Sequence, residues 1–197
     1  MTVIDKLKEV SAFLKPRGIE DAAKEAGILI TETLRISKSE LYAGNFEISE
    51  DESKEIDALA SRRARREPLQ YIIGHVEFCG LKIKVGEGVL IPRPETELLA
   101  EEVIKKVSGF RFQVSGEDKD SSLVPHSSSL KILDLCTGSG CLALAIAKHF
   151  PDAEVYGTDI SKGAIKYAKE NAELNGIRNV VFLHGSLFEP IKNQFTV

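Results

Sequence analysis

Cysteine is scarce, long apolar runs are missing, and positive charge is not in excess. The 197-residue chain has three cysteines, Cys79, Cys136 and Cys141, an odd number without metal-ligand spacing, and four scattered histidines. A disulfide framework or a zinc site is not expected, and a reducing, cytoplasmic setting fits best. No stretch approaches the roughly 20 apolar residues that a membrane-spanning helix needs. The opening MTVIDKLKEV is charged and amphipathic rather than signal-like. No membrane partner is expected. A formal net charge of −4 gives no global attraction to nucleic acid, so none is expected as a direct partner unless a local patch supplies it. What remains is ordinary globular material, 43% hydrophobic and 28% charged, enough to bury a core.

The first third reads as helices. Ile4, Leu7, Val10 and Leu14 recur at helical spacing until Pro16 and Gly18 end the pattern, and Ala22, Ala23, Ala26, Leu29, Ile30 and Leu34 form a second stripe. Ser37 with Glu40, and Ser49 with Glu52, match the capping-box pattern and open two further helices. The fourth ends in SRRARRE, where Arg62, Arg63, Arg65 and Arg66 form either a docking patch or a solvated helix end whose cations complement the dipole.

Between Gln70 and Ile91 the period changes to alternation in two runs around Cys79 and Gly80, the pattern of a β-hairpin. In IPRPETELLAEEVIKKV, Pro94 stands at a first helical position with Glu95 and Glu97 in the first turn. Residues 108–129 lack periodicity and are rich in serine and charge, so most of that stretch is expected to be a flexible loop. From Lys131 strand and helix alternate: KILDL, a helix from Cys141 to His149, AEVYGTD, a helix from Lys162 to Leu174, and VVFLHG. This is the opening of a doubly wound α/β sheet, whose ligands sit at the carboxyl ends of the strands.

The segment ILDLCTGSGCLALAIA runs from strand through glycines into helix. Its Gly138, Gly140 and Ala143 resemble the nucleotide fingerprint, and Asp159 lies near the roughly 20-residue offset from which an acid reaches ribose hydroxyls. That spacing allows NAD. Asp134 argues against it, because a carboxylate at the strand end repels a pyrophosphate. S-adenosylmethionine carries a sulfonium and an ammonium, which an acid tolerates or attracts, while exposed backbone amides can hold its carboxylate.

EPLQYIIGHVEFCGLKIKVGEGVLIPRPETELL, followed by ILDLCTGSGCLALAIA and TDIS, resembles the glutamine N5-methyltransferases that modify peptide chain release factors. The glycine–acid pattern is shared by many methyltransferases, whereas QYIIGHVEF and IPRPETE at this spacing are highly specific. The resemblance implies a helical N-terminal substrate-docking domain over 1–68, a β-hairpin linker over 69–91 and, from 92 to 197, the N-terminal part of a Rossmann-like methyltransferase domain. It implies S-adenosylmethionine as cofactor, peptide chain release factors as partners and a monomer when complete. The cofactor turn falls on Cys136, Thr137, Gly138, Ser139 and Gly140, the ribose acid on Asp159, and the adenine side near Leu187, where an aromatic is common. Cys136 stands where a glycine is often found, and Ser186 where an acid is. Arg93 and Glu95 are implied near the cofactor and substrate mouth, with helix capping as an alternative account. No metal site is expected.

The family holds the acceptor amide with an NPPY motif after a fourth strand, and this sequence reaches only NQFTV, where that strand is expected to begin. No catalytic residue is therefore assigned, and the chain alone is expected to be inactive. An amide nitrogen is a weak nucleophile, so positioning rather than a strong base must do the work. Alternative readings are a methyltransferase acting on a ribosomal-protein glutamine or a nucleic-acid adenine, a non-catalytic release-factor-binding module, and last an NAD dehydrogenase.

Overall fold

A computed structural model describes residues 1–44, 46–114 and 130–191. Most of the segment expected to be a loop, from 115 to 129, and the expected start of a fourth strand, from 193 to 197, lie outside the described residues. The chain divides into two compact units, Met1–Gly74 and His75–Val197.

The first unit is helical: α1 (Val3–Leu14), α2 (Ala22–Leu34), α3 (Lys38–Ala43), α4 (Glu50–Ala64) and a short α5 (Leu69–Ile73). α1 is capped by Thr2, whose hydroxyl accepts the Asp5 N–H, and it gives way to a 3-10 turn over Lys15–Arg17 that Gly18 closes at φ 75°. Both capping boxes form, Ser37 with Glu40 and Ser49 with Glu52. The apolar stripes meet in one core that includes Val10, Leu14, Leu29, Ile30, Leu41 and Ile56.

Three of the four arginines at the end of α4 have partners within their own unit. Arg62 donates to the Glu67 carboxylate at 2.9 Å, Arg63 pairs with Glu25 on α2, and Arg66 donates to the Gly18 carbonyl at 2.9 Å. These bonds fasten three of the four side chains within the unit, while Arg65 and Arg66 stay exposed. Lys6, buried on α1, reaches Asp57 on α4 at 2.7 Å and Glu9 at 3.3 Å.

The second unit opens with the hairpin β1 (His75–Phe78) and β2 (Leu81–Lys84), turning at Cys79–Gly80. The hairpin starts later than the alternation suggested, because Leu69–Ile73 coils into one helical turn closed by Gly74 at φ 81°. The helix from Pro94, α6 (Pro94–Val114), runs past residue 108, where the sequence suggested a loop. A three-stranded parallel sheet follows in the order β3 (Lys131–Leu135), β4 (Glu154–Asp159), β5 (Val180–His184), with α7 (Cys141–His149) and α8 (Lys162–Leu174) as crossovers. The register pairs Leu135 with Thr158 and Asp159 with His184. The three strands therefore end level, and the loops that follow them gather at one end of the sheet.

Candidate cofactor site

The glycine turn occupies the step from β3 to α7. Cys136 leaves the strand at φ 60°, in the left-handed region that most side chains avoid, and Gly138 and Gly140 follow at φ 56° and 80°. The two glycines serve different ends. A Cβ on Gly140 would come within 2.8 Å of Phe182 and 3.0 Å of Ala168, so its bareness lets α7 lie close to the sheet, whereas a Cβ on Gly138 would meet nothing within 4 Å. Gly138 presents backbone to open space.

Two carboxylates hold this turn. Asp159, at the end of β4, accepts the Gly138 N–H on one oxygen and the Ser161 N–H on the other, each at 2.9 Å. Asp134 accepts the Thr137 hydroxyl at 2.6 Å and the Ala143 N–H at 3.3 Å. Burial pushes the Asp134 carboxyl above its ordinary value, against the opposing pull of those two hydrogen bonds, and the nearby Asp159 charge adds to the rise. The amides of Thr137, Gly138 and Gly140 all donate within the chain. The cradle of exposed amides expected from sequence is reduced accordingly, and the polar character of the site comes mainly from its acids.

These groups line a cavity of about 380 Å³, within the range of small-molecule sites. One wall is the turn, with Asp134, Cys136, Thr137, Gly138, Ser139 and Asp159; the other is the segment after the hairpin, with Gly88, Val89, Leu90, Pro92 and Arg93. Among the described residues there is no cluster of metal-binding side chains, and no helix is long and apolar enough to cross a membrane.

Residues 5–74 match the PrmC N-terminal domain, and residues 126–197 match a methyltransferase domain. The release factor glutamine methyltransferase of Thermodesulfovibrio yellowstonii is 43% identical over 98% of this chain and 62% of its own length. Relatives of the same description from Geobacter sulfurreducens and Fusobacterium nucleatum are 38% and 34% identical over 98% of this chain, covering 61% and 50% of their lengths. The chain is similar to these enzymes along nearly its whole length. It spans between half and five-eighths of the length of these three relatives. Among solved structures, a ribosomal protein L11 methylase from Lactobacillus delbrueckii subsp. bulgaricus is 30% identical over 56% of this chain and 47% of its own, at a TM-score of 0.38.

The fold is a helical N-terminal part, a hairpin and a Rossmann-like methyltransferase domain. Of the residues implied by the resemblance, the cavity brings together Cys136, Thr137, Gly138, Ser139, Asp159 and Arg93. Gly140 sits behind it against the sheet, and Glu95 and Leu187 do not line it. Leu187 is 54% exposed and accepts the Thr158 hydroxyl through its carbonyl at 3.0 Å. Glu97, which the sequence placed only as a dipole partner, accepts the Cys79 N–H at 3.0 Å and ties α6 to the hairpin turn. Sequence reasoning also missed Asn171, whose signal was an asparagine on the buried stripe of α8 beside Ala164, Ile165 and Ala168.

Proposed function

We propose that the pocket binds S-adenosylmethionine, and that the activity it serves is methylation of the side-chain amide nitrogen of the glutamine in the Gly-Gly-Gln motif of peptide chain release factors, in translation termination. The observation that carries this reading is the pair of acids flanking an open glycine turn in a chain similar to these enzymes. When bound, S-adenosylmethionine supplies an electrophilic methyl on a cationic sulfur. Asp159 would hold the ribose: its two backbone hydrogen bonds use one lone pair on each oxygen, and a carboxylate can accept about four. Asp134 carries a carboxyl that burial disfavours ionising, so a cation in the pocket relieves it and a pyrophosphate aggravates it. Gly138 leaves room for close approach, and Cys136, Thr137 and Ser139 complete the turn that faces the ligand.

Arg93, which lines the opposite wall, would meet what enters the mouth, and Glu95, which does not line the cavity, would act only at its rim. The acceptor amide needs its NH2 held by oxygen acceptors in line with the methyl, and no asparagine lines the described pocket. The residues described here are accordingly assigned to the methyl donor. Titration calorimetry with S-adenosylmethionine and with NAD is the test. Binding of the methyl donor alone is expected, weakened by about 1.5 to 3 kcal/mol in Asp159→Ala, the range of a charge-assisted hydrogen bond. NAD binding, or unchanged affinity in the variant, overturns the assignment. Mass spectrometry of a labelled release factor then separates glutamine from other acceptors.

A further inference from the structure

The two walls of the pocket come from distant parts of the sequence, and one buried side chain touches the backbone of one wall and of the strand that leads into the other. Asn171 on α8 is 0% exposed. Its amide nitrogen donates to the Lys84 carbonyl at 3.1 Å and to the Ser139 carbonyl at 2.9 Å, and its oxygen accepts the Lys84 N–H at 2.7 Å. Both donors are used and each has a backbone partner. Lys84 is the last residue of β2, from which the chain runs on into the wall at Gly88–Arg93; Ser139 belongs to the glycine turn.

Asn171 is the middle rung of a ladder. One turn further along α8, Asn175 makes the same paired contact with Lys82, accepting its N–H at 3.2 Å and donating to its carbonyl at 2.9 Å. One turn back, Tyr167 lies against Gly86, where a Cβ would fall 2.2 Å from the tyrosine oxygen. Positions 167, 171 and 175 thus meet 86, 84 and 82. Four helical residues rise about 6.0 Å and two strand residues about 6.8 Å, so side-chain amides on a helix can follow the free edge of a strand. Of the three rungs, the middle one alone also holds the glycine turn.

We propose that Asn171 is a positioning residue that sets the separation of the pocket's two walls, and thereby its affinity for the methyl donor. The affinity part rests on the pocket being the S-adenosylmethionine site; the clamp itself does not. Asn171→Asp keeps the acceptor for the Lys84 N–H and loses both donors, turning a repelling oxygen toward two carbonyls. Asn175→Asp makes the same chemical change one turn away from the glycine turn.

Hydrogen exchange over segments 81–93 and 136–141, with cofactor titration, tests the clamp on the wild-type chain and both variants. In Asn171→Asp both segments are expected to exchange about tenfold faster and cofactor affinity to fall about tenfold, the scale of one or two lost hydrogen bonds. In Asn175→Asp the loosening is expected to stay in 81–93, with affinity within about twofold of wild type, below the scale of a single lost bond. Equal exchange of 136–141 in the two variants overturns the clamp, and unchanged affinity with that segment loosened overturns its positioning role. Should Asn171→Asp not fold, Asn171→Ser, which is too short to reach both backbones and adds no charge, is compared in the same way. A wild-type chain that takes no cofactor overturns the proposed function, and the exchange measurement then decides the clamp alone.

Discussion

In the unit Met1–Gly74 the buried polar or charged side chain among the described residues is Lys6, whereas the unit His75–Val197 buries Thr137, Ser139, Thr158 and Asn171. The first unit turns its charges into struts: Lys6 to Asp57 and Arg63 to Glu25 join helices, and Arg62 to Glu67 ties α4 to the connection that follows it. The second uses polar groups to hold backbone in a shape it would not otherwise keep, with three left-handed residues within five positions, Cys136, Gly138 and Gly140. A unit whose polar groups are satisfied by one another gains stability and little chemistry. A turn held by acids beside a cavity keeps unused acceptors and a perturbed carboxyl, which is what a ligand can exploit.

The contrast breaks most readily at Gly140. A methyl there meets both an unfavourable φ and the packed faces of Phe182 and Ala168, so Gly140→Ala is expected to destabilise the chain by about 3 kcal/mol or more. Denaturant unfolding reads the loss, and a near-neutral result would mean that α7 need not lie so close to the sheet. In the other unit Arg63→Ala removes one partner of a pair whose side chains are 16% and 17% exposed. The expected cost is about 1 to 2 kcal/mol, between the values for surface and buried pairs. Cofactor affinity should not follow that loss; if it does, the division between strut and site is wrong.

The gap between what the sequence shows and what the chain does follows the same division. Strand, turn and helix around Gly138 were legible because glycine spacing and flanking apolar runs are local signals, and so were both serine capping boxes. The partners of Arg62, Arg63 and Arg66 were not, because a run of arginines looks the same whether the acids that receive them are near or distant in the chain. Leu69–Ile73 reads as alternating apolar sequence, yet a single helical turn satisfies its backbone as well as a strand edge would. α6 passes through Gly109 because one interior glycine costs a helix only about 1 kcal/mol, too little to end it. In the site, Asp159 was found by its offset, whereas Asn171 reaches Lys84 and Ser139, 87 and 32 residues away.

Two finer tests sharpen the comparison within the turn. The folded Asp134 carboxyl titrates above its ordinary range, so without ligand its contribution to stability is fully present below the unfolded carboxylate pKa and is lost as pH rises through the folded value. A cationic ligand reverses the preference by favouring the ionised form. Affinity for S-adenosylmethionine is therefore expected to fall on acidification through the raised pKa, by up to about tenfold per pH unit, and Asp134→Asn should flatten that slope. Calorimetry across pH checks it; a slope that survives in the variant belongs to another group. The smallest effect is at Cys136, whose φ of 60° suits glycine. Cys136→Gly should stabilise the chain by about 0.5 to 1 kcal/mol after the entropic penalty of glycine, measured as a higher unfolding midpoint.

The ladder between α8 and β2 works as a vernier. Its two scales, about 6.0 Å per helical step and about 6.8 Å per strand step, agree well at one mark and drift on either side. Asn171 stands at the middle mark, which places the best-matched rung beside the glycine turn and leaves the drift to Tyr167 and Asn175. Inserting or deleting a residue between Lys82 and Gly86 would slide one scale against the other and disengage every rung beyond the change. Length changes beyond Gly88 would leave the marks aligned. The distance between the pocket's walls is thus written in the spacing of three residues on a helix, apart from the residues of the wall itself.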